Sequence, residues 1–124
     1  MNVLIVDDEY LVVEEVVTVT DWELLGITEI YSATNAVSAV RILNEKKIDI
    51  MICDIEMPQT DGLELSKKAK ENFPDLEIVM LTSHAEFNYV RNALRYGCYD
   101  YLLKPVMEDD IIKVMKNLVT KIER

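Results

Sequence analysis

The chain has 124 residues, half of them hydrophobic, with only 3 glycines and 3 prolines; that suffices for one domain with a sizeable core and argues against intrinsic disorder. A net charge of −10, from 23 acidic against 13 basic residues, argues against direct nucleic-acid binding, which needs a basic surface. No apolar run approaches the roughly 18 residues of a membrane span, Met1-Asn2-Val3 carries no basic signal-peptide region, and Cys53 and Cys98 sit in apolar runs like the reduced thiols of a cytoplasmic protein.

Apolar runs and amphipathic stretches alternate five times, with no linker or repeat. The first strand is predicted over residues 2–7 and the first helix over 9–20. Leu11, Val12, Val13, Val16, Val17 and Val19 are mostly β-branched, and their intrinsic preference leans toward strand. Helix is still the better reading. Val12, Val13, Val16 and Val17 recur with helical spacing opposite Glu14 and Glu15, and a parallel neighbouring strand needs a crossover. A second strand follows at 27–33 and a second helix at 36–46, spaced by Ala36, Val37, Ala39, Val40 and Leu43. The third strand spans 48–53 and the third helix 62–72, stopped by Pro74. The fourth strand spans 76–81 and the fourth helix 85–96, with Gly97 placed to cap it. The fifth strand spans 99–103 and the last helix 108–122, whose start at Glu108, Asp109 and Asp110 suits the positive end of the helix dipole. This alternation predicts a parallel sheet with helices on both faces.

Four of the apolar runs end in polar residues of different kinds. Val3–Val6 runs into Asp7-Asp8, Ile48–Cys53 into Asp54, Ile78–Leu81 into Thr82-Ser83, and Tyr99–Leu103 into Lys104-Pro105. Ligands of open parallel sheets gather beyond the carboxyl ends of the strands. Neighbouring strands would therefore bring three carboxylates, a hydroxyl and an amine into one crevice. Each residue alone has an ordinary role open to it: helix capping for Asp7-Asp8-Glu9, a strand-end hydroxyl for Thr82, a solvated amine for Lys104 and a strand aromatic for Tyr101. Together they point to a divalent cation and a phosphoryl group. Two like charges about 4 Å apart cost about 4 kcal/mol at an effective dielectric of 20, and a cation relieves that cost. Oxygen ligands favour Mg2+, or Mn2+, over zinc.

Val-Asp-Asp-Glu at 6–9, Asp-Ile-Glu-Met-Pro at 54–58, Asp61-Gly62, Leu-Thr-Ser at 81–83 and Asp-Tyr-Leu-Leu-Lys-Pro at 100–105 occur in the order of a known family. Over its full length, residues 1–124, the chain resembles the receiver domain of bacterial two-component response regulators. The resemblance implies a flavodoxin-like (βα)5 α/β fold, a doubly wound five-stranded parallel sheet in the order 2-1-3-4-5. It implies Asp54 as phosphoacceptor, Asp8 and Asp54 as direct metal ligands, Asp7 as a ligand through water and Glu56 as a backbone-carbonyl ligand. Lys104 would contact the phosphate beside a Lys-Pro bond that is commonly cis in the family. Thr82 and Tyr101 would be the switch pair. Glu56 and His84 occupy positions that tune acyl-phosphate lifetime in the family, although a lone histidine such as His84 is more often a surface residue.

The implied role is a signalling switch and not an enzyme, phosphorylated by a sensor histidine kinase and read out through the fourth helix, fifth strand and fifth helix, with weak homodimerisation there. Asp21-Trp22-Glu23-Leu24-Leu25-Gly26-Ile27 and Ala85–Val90 resemble receivers that precede AraC-type helix-turn-helix domains. DNA would then be contacted by an effector domain outside these residues. For Trp22, ordinary packing between the first helix and the second strand is the plainer reading. The last helix lacks the arginine-rich pattern of the winged-helix branch. A degenerate receiver acting as a constitutive interaction module is the alternative function; against it, none of Asp7, Asp8, Asp54, Thr82 or Lys104 is replaced. Aspartyl-phosphate phosphatases carry a second Asp where this chain has Glu56, and Asp-Asp-Glu after the first strand has the wrong sign for a flavin phosphate.

Overall fold

The structure is a computed structural model that describes residues 1–57, 60–83 and 87–124, with the side chains of 60, 61 and 87–89 outside the description. Five strands, β1 (Asn2–Val6), β2 (Glu29–Ala33), β3 (Ile50–Asp54), β4 (Glu77–Thr82) and β5 (Asp100–Leu103), form one sheet. All neighbours are parallel and the order is β2-β1-β3-β4-β5. The helices are α1 (Tyr10–Val19), α2 (Ala36–Glu45), α3 (Gly62–Asn72), α4 (Phe87–Arg95) and α5 (Glu108–Glu123). This is the flavodoxin-like arrangement expected from the sequence. Element ends shift by one or two residues, and the expected helix start at residues 85 and 86 lies outside the described residues.

The interior strands β1, β3 and β4 read as nearly continuous apolar runs because both sheet faces are covered there. Their side chains alternate between two cores. Val3, Ile5, Ile52, Val79 and Leu81 pack with α1 and α5 residues such as Val16, Ile111 and Met115. Leu4, Val6, Met51, Ile78 and Met80 pack with Ala39, Leu43, Leu65 and Ala93 of α2, α3 and α4. α1 is helical despite its β-branched residues, since Val13 and Val16 are buried against the first core. Val17, expected on the buried side, is 37% exposed, so the stripe is narrower than the valine pattern suggests. Asn35 caps α2 by accepting a bond from the Ser38 N–H at 2.8 Å. Trp22 packs in the α1–α5 layer as expected, and its indole donates to the Val17 carbonyl at 3.0 Å. Gly97 has φ +93° as its N–H closes the end of α4 on the Leu94 carbonyl.

A two-residue antiparallel ladder, Glu56–Met57 with Thr60–Asp61, follows β3 and was not expected from the sequence. It returns the chain so that α3 begins directly under the end of β3. A Cβ on Gly62 would lie 1.8 Å from the Asp54 backbone oxygen, closer than any real contact. Gly62→Ala should therefore move the Asp54 backbone and destabilise the fold by about 3 kcal/mol or more, given that milder overpacking already costs 1–3 kcal/mol. Urea denaturation of the variant beside the parent checks this; equal midpoints would refute the close approach.

Candidate functional site: a carboxylate crevice at the strand ends

β1, β3, β4 and β5 lie side by side, so their carboxyl ends open onto one crevice. Asp7 and Asp8 follow β1, Asp54 ends β3 and Thr82 ends β4. Lys104 follows β5, its N–H donating to the Thr82 carbonyl at 2.8 Å, and its bond to Pro105 is cis. The expected residues do converge. Ligand oxygens of Asp7, Asp8 and Asp54 all fall within 4.8 Å of one another, and among the described residues this is the group able to hold a metal ion. Asp7 and Asp54 are buried, Asp8 is exposed and Thr82 is buried.

Backbone amides aim two of the carboxylates. The Glu9 N–H donates to Asp7 Oδ1 at 2.9 Å and the Glu56 N–H to Asp54 Oδ1 at 3.2 Å. Lys104 reaches both, with Nζ 2.7 Å from Asp7 Oδ2 and 3.3 Å from Asp54 Oδ1. The shorter contact ties the ammonium more closely to the fully buried Asp7 than to Asp54. Three carboxylates against one ammonium leave a formal charge of −2, which one divalent cation cancels. Buried carboxylate oxygens with unused lone pairs, and no nitrogen or sulfur donor among them, fit Mg2+.

Protonation equilibria record the same imbalance. Burial, reinforced by the neighbouring Asp7 charge, pushes the Asp54 carboxyl up to about 6 although Lys104 pulls it down. Burial also raises Asp7, against the opposing pull of Lys104 and the Glu9 amide. Burial works against the Lys104 ammonium, but Asp7 and Asp54 outweigh it and hold its pKa above the usual lysine value. Burial pushes the Cys53 thiol far up and Cys98 up to about 11, so both are unreactive free thiols.

Tyr101 is 39% exposed on β5. It forms one wall of an open groove of about 500 Å³ with Val90, Arg91, Leu94 and Arg95 of α4. On its other side Tyr101 joins Asp110, Lys113 and Val114 of α5 in a second groove of about 310 Å³. Glu56 is exposed beyond β3, and His84 lies outside the described residues. Sequence reasoning did not anticipate the role of Gly62 against Asp54 or the closer approach of Lys104 to Asp7 than to Asp54. The Asp61-Gly62 pair was the available signal for the first; the second is a matter of side-chain distance that spacing does not encode.

Residues 3–116 match the response regulator receiver domain, and the chain belongs to that family. It is 34% identical over 123 residues to the transcriptional regulatory protein YesN of Bacillus subtilis (strain 168), covering 99% of this chain and 33% of that protein. The receiver domain of AraT, a response regulator from Geobacillus stearothermophilus, superimposes with a TM-score of 0.91 at 31% identity, covering 98% of this chain and 95% of that one. A two component transcriptional regulator AraC from Clostridium phytofermentans shares the fold at a TM-score of 0.90 and 24% identity, covering 98% and 95% of the two chains. The chain spans a third to about half the length of four curated relatives it matches. No described helix is long and apolar enough to cross a membrane.

The raised Asp54 pKa has a signed consequence for the metal-free chain. A carboxyl lifted from about 3.9 to about 6 on folding adds stability below pH ~4 that is lost as pH rises through about 6. In EDTA at pH 7.5, Asp54→Asn should exceed the parent in stability by about 2–3 kcal/mol, from roughly two pKa units at 1.36 kcal/mol each. The advantage should shrink toward pH 4. Urea titrations at both pH values check it, and a gap that does not change with pH contradicts it.

Proposed function

We propose that this receiver accepts a phosphoryl group on Asp54 from a sensor histidine kinase in a Mg2+-dependent reaction. The single observation that carries this reading is the convergence of Asp7, Asp8, Asp54 and Lys104 with an uncompensated negative charge. A carboxylate oxygen of Asp54 attacks phosphorus as the phosphorus–nitrogen bond of the phosphohistidine breaks and the imidazole leaves with the electron pair. Asp8 and Asp54 would hold Mg2+ directly, Asp7 through water and Glu56 by its backbone carbonyl. Bound there, the metal supplies charge neutralisation for the incoming phosphoryl oxygens. Lys104 neutralises a further oxygen, the Glu56 N–H fixes the nucleophilic carboxylate, and the crevice walls limit water access.

Once Asp54 is modified, Thr82 and Lys104 gain contacts that exist only in that state, and these bias the surface of α4, β5 and α5, with Tyr101 as the second switch residue. A shift from mostly inactive to mostly active takes several kcal/mol of such preference. Weak self-association through that face is the readout. Residues 1–124 are read as the whole receiver, acting in the cytoplasm and controlling transcription through a separate DNA-binding domain. The name of YesN, a transcriptional regulatory protein, supports transcription as the output, and the segments Asp21–Ile27 and Ala85–Val90 favour an AraC-type helix-turn-helix as that domain. The intact acidic set and Lys104 disfavour the alternative of a degenerate, constitutive interaction module.

Acetyl phosphate with Mg2+ should add one phosphoryl group, detected by intact-mass spectrometry, and Asp54→Asn or chelation should abolish it; labelling that survives either change refutes the assignment. Asp8→Ala should weaken Mg2+ binding more than Asp7→Ala, read by metal titration, as expected for direct against water-mediated ligation. Thr82→Ala should keep phosphorylation but reduce the amide shifts that beryllofluoride induces over residues 82–105. Full shifts in Thr82→Ala would remove Thr82 from the switch.

A further inference from the structure

At the end of the sheet opposite the carboxylates, charged and aromatic side chains form a belt that the phosphoryl chemistry does not use. Its centre is Glu77, the first residue of β4, whose side chain is 12% exposed. Lys121, near the end of α5, places Nζ 3.1 Å from each Glu77 oxygen and 5.4 Å above the Tyr99 ring. From α3, Lys70 lies 3.8 Å from Glu77 and donates to the Leu76 carbonyl at 2.6 Å. The Lys70 stem passes under Gly97, at 3.7 Å from where a Cβ would stand, and Lys67 sits 5.1 Å over the Tyr96 ring. α3 and α5 lie on opposite faces of the sheet. The belt therefore wraps the sheet end and binds the turn between α4 and β5, residues 96–99, to both layers.

We propose that this belt is a fixed anchor for the C-terminal end of α4 and the entry to β5, so that a displacement begun at Thr82 and Tyr101 pivots α4 about its Tyr96–Gly97 end. Three features support it. Glu77 and Thr82 are the two ends of one strand, about 16 Å apart at ~3.3 Å per residue, and Ile78–Leu81 between them are fully buried. That separates a rigid end from a responsive one. Around the anchor, backbone bonds close the turn: the Tyr96 N–H to Asn92, Cys98 to Ala93 and Tyr99 to Ile78. Glu77, with its side chain 12% exposed, lies between the ammonium groups of Lys70 and Lys121, whose side chains are 24% and 56% exposed, and is the most enclosed of the three, which makes it the pin.

The pivot rests on the phosphoryl-switch reading; the anchor itself does not, and the test separates them. Hydrogen exchange of the full chain is measured with and without beryllofluoride, in the parent, Glu77→Gln and Lys121→Met. Without the mimic, both variants should raise exchange of the Tyr96, Cys98 and Tyr99 amides about tenfold, with acetyl-phosphate labelling of Asp54 within twofold of the parent. With the mimic, amide shifts in the parent should be large at residues 82, 83 and 101–103 and small at 96–99, and in Glu77→Gln they should spread into 96–99. Unchanged exchange at 96–99 in both variants, or parent shifts as large at 96–99 as at 101–103, overturns the anchor. If the mimic perturbs neither end, the switch reading fails and the exchange result alone decides the anchor.

Discussion

Two buried carboxylates held side by side, with one lysine between them, set the terms for the rest of this molecule. Asp7 and Asp54 are nearly inaccessible, and burial acts to neutralise them. A fold optimised only for stability would place an apolar residue or a second cation there. Parallel pairing of β1 with β3 brings them together, since Val6 and Cys53 are partners and the next residue on each strand is an aspartate. The Glu9 and Glu56 amides then fix their orientation, and Lys104 compensates part of the charge. Every further element is answerable to that arrangement.

Rigidity behind the crevice comes from ordinary packing. Alternate residues of β1, β3 and β4 enter two different cores, so neither sheet face can shift without disturbing many contacts. Gly62 lets α3 start against the Asp54 carbonyl, which couples the placement of a helix to that of a buried carboxylate of the site. The proposed switch residues sit at the other margin of the site. Thr82 ends an interior strand, whereas Tyr101 lies on the edge strand with open grooves on both sides. A local change in charge can be expressed at such an edge while the centre of the sheet stays in place.

The fold was legible because strong signals agreed. Strands such as Val3–Val6 and Ile78–Leu81 are apolar throughout, and four of them end in residues too polar to continue the run. α1 shows pattern prevailing over propensity: burial of Val13 and Val16 outweighs the β preference of a valine-rich segment. The site residues were legible by type and order, and the structure places Asp7, Asp8, Asp54, Thr82 and Lys104 at neighbouring strand ends. What escaped was short or long-range. The ladder of Glu56–Met57 with Thr60–Asp61 is too brief to show any periodicity. Pairings such as Lys121 with Glu77, 44 residues apart, depend on side-chain reach across a completed fold. The partial exposure of Val17 depends on how neighbouring elements cover α1, which its own sequence does not state.

In the proposed reaction a divalent cation relieves a carboxylate pair whose charge the protein alone leaves uncompensated. A metal bound to Asp54 would displace the proton that a pKa of about 6 retains there. Saturating the metal-free chain with MgCl2 in a pH-stat reads that proton directly. At pH 5.5 Asp54 should contribute roughly three-quarters of a released proton, falling to a few hundredths at pH 7.5, and Asp54→Asn should lose that share. Release that is equal at the two pH values, or undiminished in Asp54→Asn, would contradict the claim.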